Sequence, residues 1–347
     1  EAFGDNMIGV LNSGALALMT SVGHRTGLFD TMDGLAPLSS TEIAKASGLN
    51  ERYVREWLGA MVTGRIVECD ASGAEPLFSL PAEHAAFLTR EAAPDNIAAF
   101  AQYIPLLGSV EDKIVKCFKK GGGVAYSEYP RFHDVMAEDS GQSVLPALID
   151  SILPLSEGLP ARLAEGIDVM DIGCGSGKAV NLMAKTFPKS RFIGFDLSEA
   201  ALNTARNEAR ELGLTNANFA EKDLTYLDIE NSYDLITAFD AIHDQKAPDK
   251  VLGSIFAALR RNGVFLMQDI GASSEVHKNI DHPVGTFLYA ISCLHCMTVS
   301  MAQGGPGLGA MWGKELAVEM LKEAGFRDIE VKKLEHDFQN YYYIVEK

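Results

Sequence analysis

Two regimes of apolar patterning divide the chain. Up to about residue 160 the apolar positions follow helical spacing. Residues 6–29 read as a mostly apolar helix ending near Gly27. Ser39 and Glu42 have the capping-box spacing of a second helix, which stops at Gly48. Asn50 can cap a third helix running to about Gly64. Residues 67–69 and 77–80 flank a turn-rich stretch and predict a two-stranded wing. Three helices and a wing read as a winged helix, assigned to residues 1–90. Residues 91–160 read as a helical connector, with helices over 94–107 and 111–120 and a flexible stop at 121–123.

Beyond residue 160 short apolar runs alternate with helical stretches. Residues 167–172, broken only by Asp168 and Asp171, read as a buried parallel strand. The strand ends in Gly173, Gly175 and Gly177, and a helical pattern follows to Phe187. Glycines are needed where backbone approaches a ligand closely, and the helix N-terminus behind them favours a negative group. Counted from Gly175, Val180 stands where the dinucleotide fingerprint has its third glycine. A second strand, 191–197, carries Asp196 near its tip, where an acid hydrogen-bonds the ribose hydroxyls of an adenosine ligand. That fits a nicotinamide dinucleotide as well as S-adenosylmethionine. Asp223 follows a third strand, a fourth (233–239) runs into Asp240 and His243, and a fifth covers 263–269. An insertion, 273–313, precedes a last helix, and strands at 329–334 and 341–345 read as an antiparallel edge pair.

These five elements, in this order and at this spacing, resemble the class I S-adenosylmethionine-dependent methyltransferases from residue 167 to the C-terminus. The resemblance implies an α/β, Rossmann-like domain over 161–347 with a seven-stranded, mostly parallel sheet. It implies S-adenosylmethionine as cofactor and S-adenosylhomocysteine as product. On it, Asp171, Gly173, Gly175 and Gly177 hold the methionine end and Asp196 the ribose. Leu197 lies against the adenine, whose edge is read by the Asp223 side chain and the Leu224 backbone. Phe239 lines the sulfonium region. The first domain resembles the N-terminal domain of small-molecule O-methyltransferases, which dimerises and closes over the substrate. Stretches at 121–126, 239–245, 295–300 and 307–313 resemble a winged-helix methyltransferase group in which some members act on small thiols or sulfide.

Tyr126, Tyr129 and Phe132 are candidates for a lid over the methyl group, or equally for aromatic anchors packing their segment onto the sheet. Residues 242–249 resemble the His-Asp stretch of plant-type O-methyltransferases, where the His is the base, although Gln245 stands where a Trp is usual. His243 is thus a candidate base or a pocket-shaping residue. Cys293-Leu-His-Cys296 invites a metal or redox reading, but zinc needs two more ligands and no second Cys pair exists. No metal is expected. His295, Met297, Phe132 and Trp312 are the candidate pocket lining, with a buried structural His as the alternative for His295. Residues 287–301 hold no Arg or Lys to clamp an anion, which predicts a small, neutral acceptor.

Charge narrows the partners. The net charge is −17, and residues 1–80 hold ten acidic against five basic side chains. A nucleic-acid binder needs clustered cations, so a SAM-responsive winged-helix regulator is the lesser alternative. Five cysteines form no even disulfide framework, which predicts a reducing cytoplasm. Residues 286–302 lack charge but contain His295 and several hydroxyls, so a pocket helix is expected there rather than a membrane span. Glu1 and Asp5 have the wrong sign for a signal peptide. The apolar first helix predicts a homodimer. The expected activity is S-methylation of a small thiol or sulfide, with O-methylation using His243 as the alternative.

Overall fold

The computed structural model describes residues 2–93, 95–142, 144–335, 337 and 339–347. It divides into two compact units. One takes in the chain up to Gly108 with the segment from Glu138, and the other takes 109–137 and everything from Val144. The stretch expected as a single connector is therefore shared between them.

In the first unit the opening helix, Ala2–Thr26, runs until Gly27 adopts φ 72. Ser39 and Glu42 form the reciprocal capping box of helix Ser40–Ser47, which ends at Gly48 with φ 70. Asn50 Oδ1 accepts from Arg52 N at 3.1 Å and caps helix Glu51–Thr63. Strands β1 (Glu68–Asp70) and β2 (Leu77–Ser79) pair antiparallel as the wing. Phe29, Trp57, Leu58 and Met61 fill the core, and Trp57 Nε1 donates to Met19 O at 3.0 Å. Residues 94–107 are not one helix. Pro94 lies outside the described residues, and a 3-10 turn, Ile97–Gln102, precedes a short helix, Tyr103–Gly108. Pro105 explains the break, because its ring opposes the carbonyl four residues back but is tolerated in a first turn. Glu138 accepts from Gln102 Nε2 and contacts His24 Nε2, each at 2.6 Å; with the His24 bond as the main cause, its carboxyl is held at about 2.

The second unit is built on a seven-stranded sheet of order β5-β4-β3-β6-β7-β9-β8. Its strands are β3 (Asp168–Ile172), β4 (Arg191–Asp196), β5 (Ala217–Glu221), β6 (Tyr233–Phe239), β7 (Leu259–Ile270), β8 (Ile329–Lys332) and β9 (Asn340–Glu346). β3 to β7 are parallel, while β9 lies between β7 and β8 and runs antiparallel to both. Alternation along the strands feeds two cores. Val169, Leu235, Val264 and Tyr342 face one layer of helices, and Met170, Ile236, Phe265 and Tyr343 face the other. The order reverses at β3, with β4 on one side and β6 on the other, and the crevice at such a reversal takes ligands.

The insertion forms a continuous helical run, Gly285–Ala302, with a π turn at Ser292–Cys296. It is long and apolar enough to cross a membrane by length and composition, yet His295, Thr298 and Ser300 are buried within the unit. The three glycines of the stop at 121–123 differ in their surroundings. Gly121 and Gly122 have φ 71 and 85, but a Cβ on Gly123 would lie 2.0 Å from Thr298 O. That third glycine is a close-packing site against the insertion helix.

Candidate active site

The glycine loop after β3 separates into two functions. A Cβ on Gly173 would lie 2.5 Å from Ala241 Cβ, and one on Gly177 would lie 2.4 Å from Ala205 Cβ. Both glycines let elements pack. Gly175 has φ 51 and open space where its side chain would be, so its backbone is left for a ligand. Asp196 reaches the same loop. Its Oδ2 accepts from Gly175 N and its Oδ1 from Ser198 N, both at 2.8 Å. Each carboxylate oxygen keeps a second lone pair for a ligand hydroxyl. Leu197 beside it is 54% exposed, an uncovered apolar surface at the cradle's rim.

Asp171 is buried and accepts from Thr237 Oγ1 at 2.6 Å. Burial pushes its carboxyl up to about 7, against the pull of that bond and with help from the nearby Asp196 charge. Asp223 starts a 3-10 turn, accepting from Thr225 N at 3.0 Å, and is also paired with Lys246 Nζ at 2.5 Å. That pair was not foreseen; it holds Asp223 below the usual carboxylate range. Leu224 is buried, and Phe239, at the end of β6, is half-buried against the core.

His243 is 4% exposed, and its Nδ1 donates to Asp269 Oδ1 at 2.8 Å. The same oxygen accepts from Ile270 N at 2.8 Å and from Trp312 Nε1 at 3.1 Å. Burial pulls the imidazole pKa down, but the Asp269 charge and hydrogen bonds to Asp269 and Cys296 outweigh it and set it well above 6.5. Asp240 completes a trio whose ligand atoms lie within 4.8 Å of one another. Gln268 Nε2 donates to Asp240 Oδ2 at 2.9 Å. Trp312 is buried in the core layer, and its indole N–H is satisfied by Asp269.

The aromatic group converges on His295. Phe132 stacks on it at 3.8 Å and 7°, while Tyr129 and Tyr126 meet it edge-on at 4.7 and 5.5 Å. Burial, helped by the charges on His243 and His133, lowers His295 to about 3, so it is neutral. The Tyr129 hydroxyl donates to Leu294 O at 2.5 Å and so anchors its segment to the insertion helix, one of the two roles its aromatic group offered. Met297 packs against the loop at Gly307 and Gly309, just past the π turn. Tyr126 is held neutral by burial and the nearby Asp244 and Asp196 charges. His133, missed in the sequence, contacts Ser198 Oγ at 3.3 Å beside Asp196.

Comparison with known proteins fits this geometry. Residues 14–90 match the family model of the Rv2258c-like winged HTH domain, and residues 163–325 match that of a methyltransferase domain. Trans-aconitate 2-methyltransferase of Variovorax paradoxus (strain S110) is 35% identical over 107 residues, covering 30% of this chain and 39% of that protein. Malonyl-[acyl-carrier protein] O-methyltransferase of Bacillus cereus is 26% identical over 153 residues, 44% of this chain and 50% of that protein. The chain thus spans about a third to a half of the length of such curated relatives. Among solved structures, the mitomycin 7-O-methyltransferase MmcR superposes with TM-score 0.73 at 17% identity, covering 100% of this chain and 98% of its own. Human N-acetylserotonin methyltransferase does so with TM-score 0.70 at 14% identity, with the same coverage. At those identities the likeness shows the fold.

Proposed function

We propose that this chain, which belongs to the class I S-adenosylmethionine-dependent methyltransferases with an N-terminal winged-helix domain, methylates a small thiol or sulfide. S-adenosylmethionine supplies the methyl group from its sulfonium. Asp171, Gly175 and Asp196 fit it: a buried carboxylate for an ammonium, open backbone, and an acid with free lone pairs for ribose.

The observation that carries the acceptor reading is the buried His243–Asp269 pair. Asp269 favours the charged imidazole, and a cation at the methyl-transfer site stabilises an acceptor bound as its anion. A thiol, with a pKa of about 8.5, gives that anion readily near neutral pH. Space supports a small acceptor as well. Phe132 and His295 stack on each other at 3.8 Å, which leaves no slot for a planar ring between them. A second reading rests on the same pair. Asp269 fixes the His243 tautomer with Nε2 unprotonated when neutral, the orientation of a general base for a hydroxyl acceptor.

The test is a pH–rate profile of wild type and His243→Ala on a small thiol and on a phenol. The thiol reading expects thiol turnover, a modest loss in the variant, and recovery as pH rises and thiolate forms. Turnover of the phenol alone, with a loss of about 10²–10⁴-fold in the variant, overturns it in favour of hydroxyl methylation.

The same proposal covers assembly and place. Met7, Ile8, Val10, Leu11, Leu18 and Val22 of the first helix are exposed, and a second copy of the chain is the occupant we assign to that face. In helix Glu51–Thr63, Arg52 pairs with Glu56 and Arg55 with Glu51, which leaves little cation for DNA. Five free cysteines suit a reducing cytoplasm.

A further inference from the structure

Among the polar contacts of the cradle, the Lys246–Asp223 pair has no task in the reaction proposed above. Asp223, which the family resemblance sets at the adenine edge, caps the 3-10 turn Leu224–Tyr226. Its two oxygens have different partners. Oδ1 is turned back on its own turn and accepts from Thr225 N at 3.0 Å, while Oδ2 accepts from Lys246 Nζ at 2.5 Å. The ammonium also lies 5.9 Å from the centroid of the Tyr226 ring. The Lys246 and Asp223 side chains are 32% and 35% exposed, so a ligand can meet either one. The main chain beneath Lys246 is clamped. Ser300 Oγ donates to Gln245 O at 2.9 Å, and Gln245 Nε2 donates to Ala241 O at 2.7 Å. A Cβ on Gly305 would lie 2.7 Å from Lys246 Cα, so the glycine loop after the insertion helix presses on this residue. A fixed backbone under a flexible four-carbon stem delivers the ammonium to one small region while its head still turns.

The pair does not behave as a lone carboxylate would. A carboxylate only accepts, so it takes the 6-amino group of an adenine and repels a 6-oxo group in the same place. An ammonium has three N–H donors; one is spent on Oδ2, and the others remain for an oxygen beside it. Oδ2 in turn keeps a lone pair beyond the one that Lys246 takes. The two charges balance, so each partner offers a hydrogen bond without adding net charge to the site. We infer that Lys246 and Asp223 read the purine edge together, Asp223 accepting from a 6-amino group and Lys246 donating to a 6-oxo group, so that the cradle holds S-inosylhomocysteine as well as S-adenosylhomocysteine. This assignment rests on the cofactor reading and is independent of the acceptor. Lys246 sets which base is held and takes no part in methyl transfer.

The experiment titrates the full chain calorimetrically with S-adenosylhomocysteine and with S-inosylhomocysteine. Wild type should bind the two within roughly tenfold of each other. A part-exposed ion pair contributes little on its own, so Lys246→Met should keep S-adenosylhomocysteine within about threefold of wild type. Its inosyl ligand then faces Asp223 with no donor, and the gap between the two ligands should widen by at least about tenfold. Lys246→Ala serves equally if the methionine variant folds poorly. Lys246→Arg, which keeps donors at that place, should restore the wild-type ratio. Asp223→Asn can turn either end of its amide to the base, so it should bind the adenosyl ligand more weakly yet still hold both within tenfold. Three results overturn the inference: a wild type that separates the ligands by more than about 10²-fold, a Lys246→Met ratio equal to that of wild type, or an Asp223→Asn variant whose adenosyl affinity is unchanged. Rejection of the inosyl ligand by a wild type that binds S-adenosylhomocysteine refutes this reading of Lys246 alone, whereas a wild type that binds neither refutes the cofactor reading as well.

Discussion

Asp196→Asn tests the cofactor cradle sharply, because it keeps the shape of the side chain and removes one acceptor. In the wild type the two carboxylate oxygens each accept one backbone N–H, from Gly175 and from Ser198, at 2.8 Å. Each has one lone pair left for a ribose hydroxyl. Asparagine offers one oxygen and one NH₂. One backbone N–H then faces another donor, and one ribose hydroxyl loses a charged acceptor. A hydrogen bond to a charged group is worth about 1.5–3 kcal/mol, and an orphaned buried donor costs about 1–3. Asp196 is only half-buried, so the lower part of each range applies. Together they give about 2.5–4 kcal/mol, or roughly 10²–10³ in affinity. Asp196→Ala loses both hydroxyl contacts but admits water to the two N–H groups, so the isosteric variant should bind no better than the alanine. Calorimetric titration with S-adenosylhomocysteine measures both, with thermal unfolding of the unliganded proteins as the control for folding. Asparagine binding within about threefold of wild type would refute the argument, as would tight binding of NAD by the unaltered protein.

The two open questions about the glycine loop separate by substitution. Gly177→Ala should unfold the protein at lower temperature, since its Cβ would lie 2.4 Å from Ala205 and φ is 71; Gly175→Ala should cost about 1–2 kcal/mol of stability but most of the S-adenosylhomocysteine affinity. Asp171 is raised from 3.8 to about 7 in the fold, so its contribution is full below pH 3.8 and is lost as pH rises through 7, at most about 4 kcal/mol. Thermal scans from pH 4 to 8 should therefore show falling stability in the wild type, a flatter curve in Asp171→Asn, and a rescue by S-adenosylhomocysteine that is larger at pH 8. Light scattering should find a dimer at micromolar concentration, and Ile8→Glu with Leu11→Glu should give a folded monomer; a monomeric wild type would remove the assembly proposal.

What was legible in the sequence was local. The glycine loop, the acid at the tip of β4 and the capping box are each defined within a few residues, and each stands where the pattern placed it. What was not legible was set by register. Phe239 pairs with Gln268 across β6 and β7, so His243, just past one strand, meets Asp269 on the other. The sign in the chain was two polar residues, Gln268 and Asp269, which directly follow the apolar run 264–267 in β7 and are both fully buried. Helical reading of the insertion did not anticipate its π turn, Ser292–Cys296, which adds a residue to the repeat. The contacts of Lys246 with Asp223 and of His133 with Ser198 join segments 23 and 65 residues apart, beyond any periodicity.

The electrostatics of the cradle choose its ligand independently of any motif. Asp171 is pushed up to about 7 and Asp244 to about 6, each by burial first, and the Asp196 charge adds to both. Carboxylates gathered in this way repel one another in the free protein. A pyrophosphate placed among them would add two negative charges to the same space, and the nearby cations are committed, Lys178 to Glu208 and Lys246 to Asp223. A ligand that carries a sulfonium and an ammonium reverses the sign, and pulls the Asp171 proton off on binding. Proton release should therefore accompany binding of S-adenosylmethionine at pH 6, and it should vanish in Asp171→Asn. Calorimetry in two buffers of different ionisation enthalpy measures it directly. Equal heats in both buffers for the wild type would mean that Asp171 does not meet the ammonium, and that the methionine end is held elsewhere.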